Sequence, residues 1–575
     1  MNAYTKIKIY LYLSLSIFMT ACTEQTPPPV EQLPISRVEQ MPDLPSPLKI
    51  VDWKQKALQF DSLVFNFEAK TPFAPYIWID TNKRNLPQTT FGIYTAVGDV
   101  RQGPKKNNGE FHEAICSLTA LVSAGLVGIN KTYQSGFNYV KMVQNYFNRD
   151  NGWNIVMNNT NPEVAWLGGG YGRDWWYDVY PNVLFYALAK LFPNVDGNDE
   201  ILKSVANQFY RADSVLAGNY DYSYFDYGAM QPCRNQIPWQ QDAAGGHAWV
   251  LFSAYYKFGY SRYLEGAISA TQALDRQPTS RFYEILLPFG AYTAARLNAE
   301  QKTHFDVGKM LNFIFDGCQD TSGRFGWGVI AERWGDYDVY GLQGSITDAG
   351  GYAFLMNSVA IAWPLVPLVK YEPSFAKAIA KYMLNAVNAS HLFYPDQIDD
   401  THQWLPEKKN ITKGIIAYEG LRKFDTYGKP SLKDVSPVAI GDGPRWAQGQ
   451  PVESMFSLYS SAVAGIYGSI VQKTNVKGIL KLDCNITDFY ADCPFPVYLI
   501  YNPYPEKKAI LYRAKSNALL YDMLNHKLIT SEAISNTTLE LGADEAMLIA
   551  ELPNDAKLKV KKGRVISNDK VVTWK

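Results

Sequence analysis

The chain has 575 residues, of which 14% are aromatic and 19% charged, and its formal net charge at pH 7 is zero. This length allows two or three domains, and the charged fraction lies below the roughly 25% of ordinary globular proteins. The balanced net charge gives no electrostatic support for nucleic-acid binding. A net charge of zero does not exclude an acidic substrate, because several candidate binding loops each contain one arginine.

The N-terminus has the pattern of a targeting segment. Lys6 and Lys8 precede an apolar run over residues 9–19, and Met19-Thr20-Ala21-Cys22 closes it. This pattern resembles a bacterial lipoprotein signal with cleavage before Cys22 and lipid on its sulfur; the alternative is an ordinary signal peptide. The run is too short for a membrane span. We therefore expect residues 1–22 to be a signal peptide and the protein to be lipid-anchored in the bacterial cell envelope, at the periplasmic face or the cell surface.

Five further cysteines follow Cys22, and their spacing does not resemble a zinc site. Neither a metal nor a cofactor is expected from the sequence. Cys484 and Cys493 are close enough in sequence to close a small disulfide loop.

Residues 23–50 are rich in proline and polar residues, which predicts an extended linker between the lipid and the first domain. Residues 51–108 mix short strand-like and loop segments.

From residue 110 onward the pattern is helical. Stretches rich in Ala, Gly, Ser and aromatic residues on all faces predict buried inner helices, at about 110–126, 175–192, 240–258, 281–298, 350–370 and 453–472. Between them, stretches with one polar face predict amphipathic outer helices, at about 136–148, 198–216, 260–275, 302–316 and 373–390. Alternating buried and amphipathic helices favour a closed ring of helical hairpins.

This helix alternation, with its motif-rich loops, resembles the (α/α)6 toroid of the six-hairpin glycosidase group and of related polysaccharide lyases. The resemblance covers residues 90–472 and implies a mainly α catalytic domain, assigned to residues 51–474. It does not single out one family.

After residue 475 the apolar pattern changes to a period of two, which is typical of strands. Residues 475–575 therefore predict a small antiparallel β-sandwich that packs on the toroid without supplying catalytic groups.

Acidic and aromatic residues collect in loops that lead into the inner helices. These loops are residues 171–176, 238–242, 332–336 together with 347–350, and 441–446. In a ring of hairpins the inner helices run parallel, so all of these loops would open at one end. We expect four carboxylates to converge there as catalytic groups: Asp174, Asp242, Glu332 and Asp348. The alternative interpretation is a helix cap for each aspartate and a salt bridge with Arg333 or Arg324 for Glu332.

The same loops contain side chains suited to binding sugar. Aromatic rings stack on sugar faces and arginines hold acidic groups. The candidates for substrate binding are Tyr171, Arg173, Trp175, Trp176, Trp239, Gln241, His247, Trp334, Arg445 and Trp446. For His247 the alternative is a hydrogen-bonded core histidine.

The sequence thus favours a glycoside hydrolase that acts on a poly- or oligosaccharide with paired carboxylates. One alternative is a polysaccharide lyase on a similar toroid, using Tyr171, Tyr340, His247 or Arg445. A second alternative is a non-catalytic surface lipoprotein that binds glycan. The expected partners are a carbohydrate and the membrane, with no nucleic acid.

Overall fold

A computed structural model describes residues 26–106, 109–161 and 173–574. Its α-helices, in chain order, are α1 (Ser36–Glu39), α2 (Trp53–Val64), α3 (Ala114–Leu126), α4 (Tyr139–Met142), α5 (Trp175–Leu191), α6 (Asn198–Leu216), α7 (Ala243–Phe258), α8 (Ser261–Asp275), α9 (Leu286–Gln301), α10 (Val307–Asp316), α11 (Leu355–Ala360), α12 (Ala362–Leu368), α13 (Ala376–Ala389), α14 (Gly443–Trp446), α15 (Leu458–Ser461) and α16 (Ala464–Ile470).

The inner helices form a closed ring, as the sequence predicts. Helices α3, α5, α7 and α9 pack in sequence, α9 packs on α12, and α16 contacts α11, α12 and α3. Outside the ring, α6, α8, α10 and α13 pack on their inner neighbours, and α4 with the 3-10 turn after it packs near α3. The architecture is therefore an (α/α)6 toroid.

The sixth outer helix is α2, which lies in a region predicted to contain only strands and loops. It packs on α16 and α3. The sixth hairpin is thus formed by α2, from the start of the toroid domain, and α16, from its end. Trp53, Ala57, Phe60 and Val64 recur every three or four residues and are buried, which is the period of a helix. The side chain of Asp52 caps the first turn by accepting a hydrogen bond from Gln55 N–H.

Five of the six inner helices begin three to five residues later than predicted, and strands stand before the last two of them. The fifth was expected from residue 350, but a strand over Tyr352–Phe354 precedes α11, and the helix is divided between α11 and α12. The sixth was expected from residue 453, but α15 begins at Leu458. In both places the added residues belong to short sheets that support the loops at the end of the ring.

Close packing of α7 on α9 depends on glycine. A Cβ atom at Gly245 would lie 2.3 Å from the backbone oxygen of Leu286, and Gly290 faces Gly245 across the helix contact. The glycines of α7 therefore allow a neighbouring backbone, rather than a ligand, to approach.

The strands of the toroid are short: β1 (Ile77–Asp80), β2 (Thr90–Ile93), β3 (Tyr224–Asp226), β4 (Gln231–Cys233), β5 (Trp327–Val329), β6 (Arg333–Trp334), β7 (Tyr337–Asp338), β8 (Gln343–Ser345), β9 (Tyr352–Phe354), β10 (Ala417–Tyr418), β11 (Gly420–Arg422), β12 (Val438–Ile440) and β13 (Phe456–Ser457). Five of them form one sheet in the order β12-β11-β9-β8-β5. This sheet holds the loops around residues 348, 419 and 442 next to one another.

The C-terminal β-domain contains β14 (Val471–Lys473), β15 (Leu480–Asp483), β16 (Val497–Tyr501), β17 (Lys508–Asp522), β18 (Lys527–Leu528), β19 (Ile534–Leu541), β20 (Ala546–Leu552), β21 (Leu558–Lys561), β22 (Arg564–Ser567) and β23 (Lys570–Thr573). The long strand β17 pairs with β19 through its first half and with β20 through its second, and every pairing is antiparallel. Side chains such as Ile500, Tyr512, Leu539 and Ile549 fill the core between the two layers. This is the expected β-sandwich.

The β-domain lies against the base of the toroid, where the inner helices end. Asp488, between β15 and β16, accepts hydrogen bonds from Lys370 Nζ at 2.6 Å and from the hydroxyl of Tyr371 at 2.7 Å, just beyond α12. Tyr292, near the middle of α9, also donates to Asp488. The β-domain therefore covers the C-terminal ends of the inner helices and leaves their N-terminal ends open.

The predicted free linker over residues 23–50 is wrong for the described part, from residue 26 onward. Val30 N–H donates to Leu524 O and Leu33 N–H donates to Ser374 O, both at 2.7 Å. Ile35 and Val38 are fully buried. The proline content suggested an extended chain, but apolar side chains at every third position anchor this segment across the β-domain and the toroid.

Among the described residues, no helix is long and apolar enough to span a membrane. Cys484 and Cys493 are both free thiols, so the predicted disulfide loop is not formed.

Candidate active site

A cavity of about 440 Å³ opens at the N-terminal end of the inner helices. The loops that lead into these helices supply its wall, as expected from a ring of hairpins. Six carboxyl side chains line the cavity: Glu113, Asp174, Glu284, Asp348, Glu419 and Asp442. Two of the four predicted catalytic residues, Asp174 and Asp348, are among them.

Asp174 immediately precedes α5, but its side chain does not cap that helix. The side-chain amide of Gln240 donates to one carboxyl oxygen, and the hydroxyl of Tyr283 donates to the other at 3.0 Å. Burial raises the pKa of Asp174 to about 6, although both of these hydrogen bonds lower it. Asp174 is therefore a carboxyl group with both oxygens bound and a pKa near neutrality.

Asp242 lies behind Asp174 and is 1% exposed. One carboxyl oxygen accepts a hydrogen bond from the backbone N–H of Tyr283 at 3.1 Å. Burial raises the pKa of Asp242 to about 7, and the nearby charge of Asp174 acts in the same direction. Tyr283 thus joins the two aspartates, but only Asp174 lines the cavity.

Glu419 and Asp442 lie on the wall formed by the connection between α13 and α15. The backbone N–H of Asp442 donates to Oε2 of Glu419 at 2.7 Å. Burial raises the pKa of Glu419 to about 8, and the negative charge of Asp442 contributes to the rise. Glu419 therefore carries a proton at neutral pH while it remains accessible from the cavity.

Arg422 connects Asp442 with a further carboxylate, that of Asp348, on the same wall. Its guanidinium lies 3.1 Å from Asp348 Oδ2 and 3.2 Å from Asp442 Oδ1, and it stacks at 3.9 Å from the ring centroid of Tyr352. Such a bridge fixes the positions of both aspartates. Asp348 does not cap a long helix, contrary to the alternative interpretation of the sequence, since a short 3-10 turn and β9 follow it.

The remaining two acids of the cavity also have arginine partners. Glu113 accepts a hydrogen bond from Thr95 Oγ1 at 2.6 Å and lies 3.5 Å from Arg101; burial raises its pKa. Glu284 is paired with Arg324 and accepts a 2.6 Å hydrogen bond from Asn357.

Aromatic rings fill the space between these acids. Trp176 and Trp446, both expected from the sequence, line the cavity. Tyrosines that the sequence did not single out lie beside them: Tyr177, Tyr283, Tyr352 and Tyr459. The cavity thus combines flat apolar surfaces with carboxyl groups, which is the chemistry that sugar rings require.

Glu332 does not converge with the other acids. It forms a 3.0 Å ion pair with Lys423 and accepts a hydrogen bond from the indole N–H of Trp334 at 2.8 Å, outside the cavity wall. Glu332 therefore forms a salt bridge, as the alternative interpretation of the sequence expected, but its partner is Lys423 rather than Arg333 or Arg324. The predicted convergence of all four carboxylates is wrong for Glu332, because its carboxylate is held by Lys423 and Trp334 and is not among the side chains that line the cavity.

Three of the expected sugar-binding residues belong to the core. Trp175 and Trp334 are fully buried, and Trp175 stacks on Tyr220. His247 is fully buried, and its Nε2 lies 2.7 Å from the hydroxyl of Tyr227; burial lowers its pKa to about 3. The first residue of a helix can point inwards as readily as towards the mouth, and the sequence does not distinguish these cases.

Four others lie outside the cavity wall. Trp239 is held between Arg234 and Arg281, and exposed Arg445 stacks at 3.5 Å from the ring centroid of Tyr427. Arg173 stacks 4.2 Å from the ring centroid of Trp153. Gln241 was expected to bind substrate, but its neighbour Gln240 makes the contacts with Asp174 and Trp176. Tyr171 and Cys22 lie outside the described residues.

Sequence reasoning missed Glu419, Glu284 and Tyr283. Glu419 lies in a Tyr-Glu-Gly turn between two-residue and three-residue strands, far from any long helix. Tyr283 and Glu284 precede α9 in the same way that Asp174 precedes α5. Their position directly before an inner helix is therefore a sequence signal that indicates both residues. Among the described residues, no cluster of acidic, histidine and cysteine side chains is arranged to hold a metal ion.

No family model matches the chain, and no curated protein matches it in sequence. Among solved structures, the chain is similar to a GH127 β-L-arabinofuranosidase from Geobacillus stearothermophilus T6, with 12% identity, coverage of 91% of this chain and 85% of that one, and a TM-score of 0.37. It is similar to a family 76 glycoside hydrolase from a Bacteroides thetaiotaomicron strain at 10% identity, with 73% and 77% coverage and a TM-score of 0.37.

A third similar structure is the endoglucanase CelQ from Clostridium thermocellum, at 12% identity, with 91% and 98% coverage and a TM-score of 0.35. These values are too low to transfer an activity to this chain.

Proposed function

We propose that the protein is a glycoside hydrolase that cleaves a poly- or oligosaccharide with one protonated and one ionised carboxyl group. The observation that carries this proposal is the pair formed by Glu419 and Asp442. Glycoside hydrolysis needs an acid that protonates the leaving oxygen and a carboxylate that acts as base or nucleophile. A protonated and an ionised carboxyl group side by side meet this requirement.

Glu419 is the proton donor in this proposal. Its pKa of about 8 keeps it protonated at neutral pH. Among the described residues it has no ion-pair partner, and Oε2 is bound by the N–H of Asp442, so the proton on Oε1 can be directed at a ligand. The other acids of the cavity are less suited, because Glu113, Glu284, Asp348 and Asp442 each have an arginine partner.

Asp442 is the second carboxylate in this proposal. Arg422 pairs with Asp442 and orients it, and the charge of Asp442 adds to the rise that burial causes in the pKa of Glu419. Asp174 and Asp348 stay in the proposed site as groups that bind sugar hydroxyls or share the charge of the transition state. Trp176 and Trp446 supply flat surfaces on which sugar rings stack.

The lyase alternative is less well supported. A lyase of this kind needs a tyrosine or histidine that accepts a proton. Burial raises the pKa of each tyrosine of the cavity well above its usual value, which makes these hydroxyls poor proton acceptors. His247 is a core residue, Tyr340 and Arg445 do not line the cavity, and Tyr171 lies outside the described residues.

The test is incubation of the purified full chain with a panel of neutral and acidic glycans, with assays for new reducing ends and for the absorbance of unsaturated products. Reducing ends without that absorbance, lost in Glu419→Gln and Asp442→Asn but retained in Glu332→Gln, are expected. Unsaturated products would contradict the proposal in favour of a lyase. Glycan binding without any product would contradict it in favour of a non-catalytic binding protein.

We also propose that the protein works as a lipid-anchored protein of the cell envelope. The support is the Lys6 to Cys22 pattern, which lies outside the described residues. Cys22→Ser should leave the precursor unprocessed by the lipoprotein peptidase or release soluble protein. Unchanged membrane association of the processed chain would contradict the anchor.

A further inference from the structure

A row of exposed lysines marks one edge of the β-domain. Lys557, Lys559 and Lys561 alternate with two half-buried apolar residues along and next to β21, and Lys562 follows in the turn. Because successive side chains of a strand point to opposite faces, Lys557, Lys559 and Lys561 share one face. A chain with zero net charge thus places four positive charges within residues 557–562.

These lysines are not neutralised by nearby acids. Among the described residues, none of the four is part of an ion pair. Asp555 and Asp569, the nearest acids in sequence, are exposed and lie beyond the ends of the row. The lysine edge is therefore a surface of positive potential that is open to a ligand with negative charges.

The lysine edge lies at the base of the molecule. Strand β21 pairs with β22, and β22 with β23. Residues of β23 share a cavity of about 340 Å³ with Met523, next to the Leu524 carbonyl that binds Val30. Arg564, in β22, donates to Ala299 O near the end of α9 at 2.6 Å. The N-terminal segment therefore reaches the body of the protein beside the sheet that carries these lysines.

The reach of the N-terminal chain limits where an anchor can be. Seven residues separate Val30 from Cys22, and the eight Cα-to-Cα steps between them span at most about 28 Å. The catalytic cavity is at the other end of the toroid, beyond inner helices such as α7, whose 16 residues extend about 24 Å, and beyond the β-domain itself. A lipid on Cys22 would thus draw the base of the molecule, rather than the cavity, towards the bilayer.

We propose that Lys557, Lys559, Lys561 and Lys562 bind the anionic headgroups of the bilayer that holds Cys22, so that the cavity opens away from the membrane. Juxtamembrane lysines are attracted to anionic lipid surfaces over distances of about a Debye length. The anchor holds the protein at the membrane, and the lysine edge sets its orientation. The proposal rests on lipid at Cys22 and is independent of the enzymatic activity.

The test is hydrogen exchange of the lipidated full chain reconstituted in vesicles of phosphatidylcholine alone or mixed with phosphatidylglycerol. Backbone amides over residues 557–567 should exchange of the order of tenfold more slowly on the anionic vesicles. At about 1 M salt, where the Debye length is roughly 3 Å, the difference should disappear. The four-lysine-to-glutamine variant should lack the protection, whereas Lys105→Gln with Lys106→Gln, in a loop near the cavity, should keep it.

Equal exchange on both kinds of vesicle would overturn the proposal, as would protection of residues 442–451 at the cavity in place of the lysine edge. If the chain did not bind vesicles at all, the lipid anchor at Cys22, on which the proposal rests, would be contradicted. Protection by a soluble polyanionic oligosaccharide but not by anionic vesicles would assign the lysine edge to a glycan instead. None of these results depends on whether the cavity hydrolyses a substrate.

Discussion

The backbone N–H of Asp442 donates a 2.7 Å hydrogen bond to the carboxyl group of Glu419, while the side chain of Asp442 is bound by Arg422. One residue thus fixes the position of Glu419 through its backbone and raises the pKa of Glu419 through its charge. Burial is the main cause of the raised pKa of Glu419, and Asp442, unlike Glu419, is paired with an arginine. This relationship gives the proposed mechanism its strongest test.

Glu419→Gln should lower kcat by about 10² to 10⁴ on a natural glycan, because the amide cannot donate a proton to the leaving oxygen. The wild-type rate should fall as the pH rises through about 8, where Glu419 loses its proton, and this alkaline limb should be absent from the variant. The measurement is the pH profile of kcat.

A matched substrate serves as the control for this prediction. Aryl glycosides whose leaving group needs no protonation should be cleaved by Glu419→Gln with a much smaller loss than natural glycans. Equal losses on both substrates would show that Glu419 acts in some other way than as the acid.

Asp174 and Glu332 should differ sharply, although the sequence places both among the catalytic candidates. Asp174→Asn changes a carboxyl group on the cavity wall and should lower kcat/KM at least about 100-fold. Glu332→Gln changes a group bound to Lys423 outside the cavity and should leave kcat/KM within about threefold, since exposed ion pairs contribute little. A large loss in Glu332→Gln with unchanged folding would mean that the site extends beyond the cavity described.

The helix pattern was predictable because each inner helix buries all of its faces and each outer helix only one. The same periodicity located α5, α6, α7 and α8 to within a few residues. It failed for α2 because short apolar runs in that region were interpreted as strands. It failed for residues 26–50 because composition was given more weight than the spacing of Ile35, Val38 and Met41.

The candidate site was only partly predictable. Position before an inner helix predicts that a residue lies at the open end of the ring, and this holds for Asp174. It does not predict which way the side chain points, so Trp175 enters the core while Trp176 lines the cavity. Glu419 has no local signal at all, since long-range pairing of β11 with β9 and β12 brings it to the cavity.

Trp446 and Trp175 provide a second matched comparison. Trp446→Ala removes a ring from the cavity wall and should raise KM by about tenfold, equivalent to roughly 1.4 kcal/mol of binding, with little change in stability. Trp175→Ala removes a fully buried ring and should lower the free energy of unfolding by about 3 to 5 kcal/mol. Steady-state kinetics and denaturant titration of both variants distinguish the roles; an unchanged KM in Trp446→Ala would remove it from the site.

Asp488 stabilises the contact between the β-domain and the toroid. Its carboxylate is buried and is bound by Lys370, Tyr371 and Tyr292, so Asp488→Ala leaves a buried lysine without its charge partner. The expected loss of unfolding free energy is about 3 to 5 kcal/mol, with kcat of the folded protein unchanged. Asp544→Ala, in a partly exposed pair with Lys377, should cost at most about 1 kcal/mol. Similar stability of the two variants would contradict the assigned role of Asp488.

Asp178 should make the protein less stable as the pH rises. It lies one turn into α5 and is buried, and one of its carboxyl oxygens has no hydrogen-bond partner among the described residues. Burial raises its pKa in the folded protein to about 7, whereas the unfolded chain has a value of about 3.9. Between these two values the folded state holds a proton that the unfolded state has released. The free energy of unfolding therefore falls as the pH rises from about 4 to about 7.

Asp178→Asn removes this titration. The variant should differ little from the wild type near pH 4 and should be more stable by roughly 2 to 4 kcal/mol at pH 8, where the wild type must bury an ionised carboxylate. The measurement is denaturant unfolding of both proteins at pH 5 and pH 8. Asp150→Asn, at an exposed ion pair with Arg149, is the control and should show the same small difference from the wild type at both pH values. A stability difference between Asp178→Asn and the wild type that does not grow from pH 5 to pH 8 would mean that Asp178 is already ionised in the folded protein at pH 5.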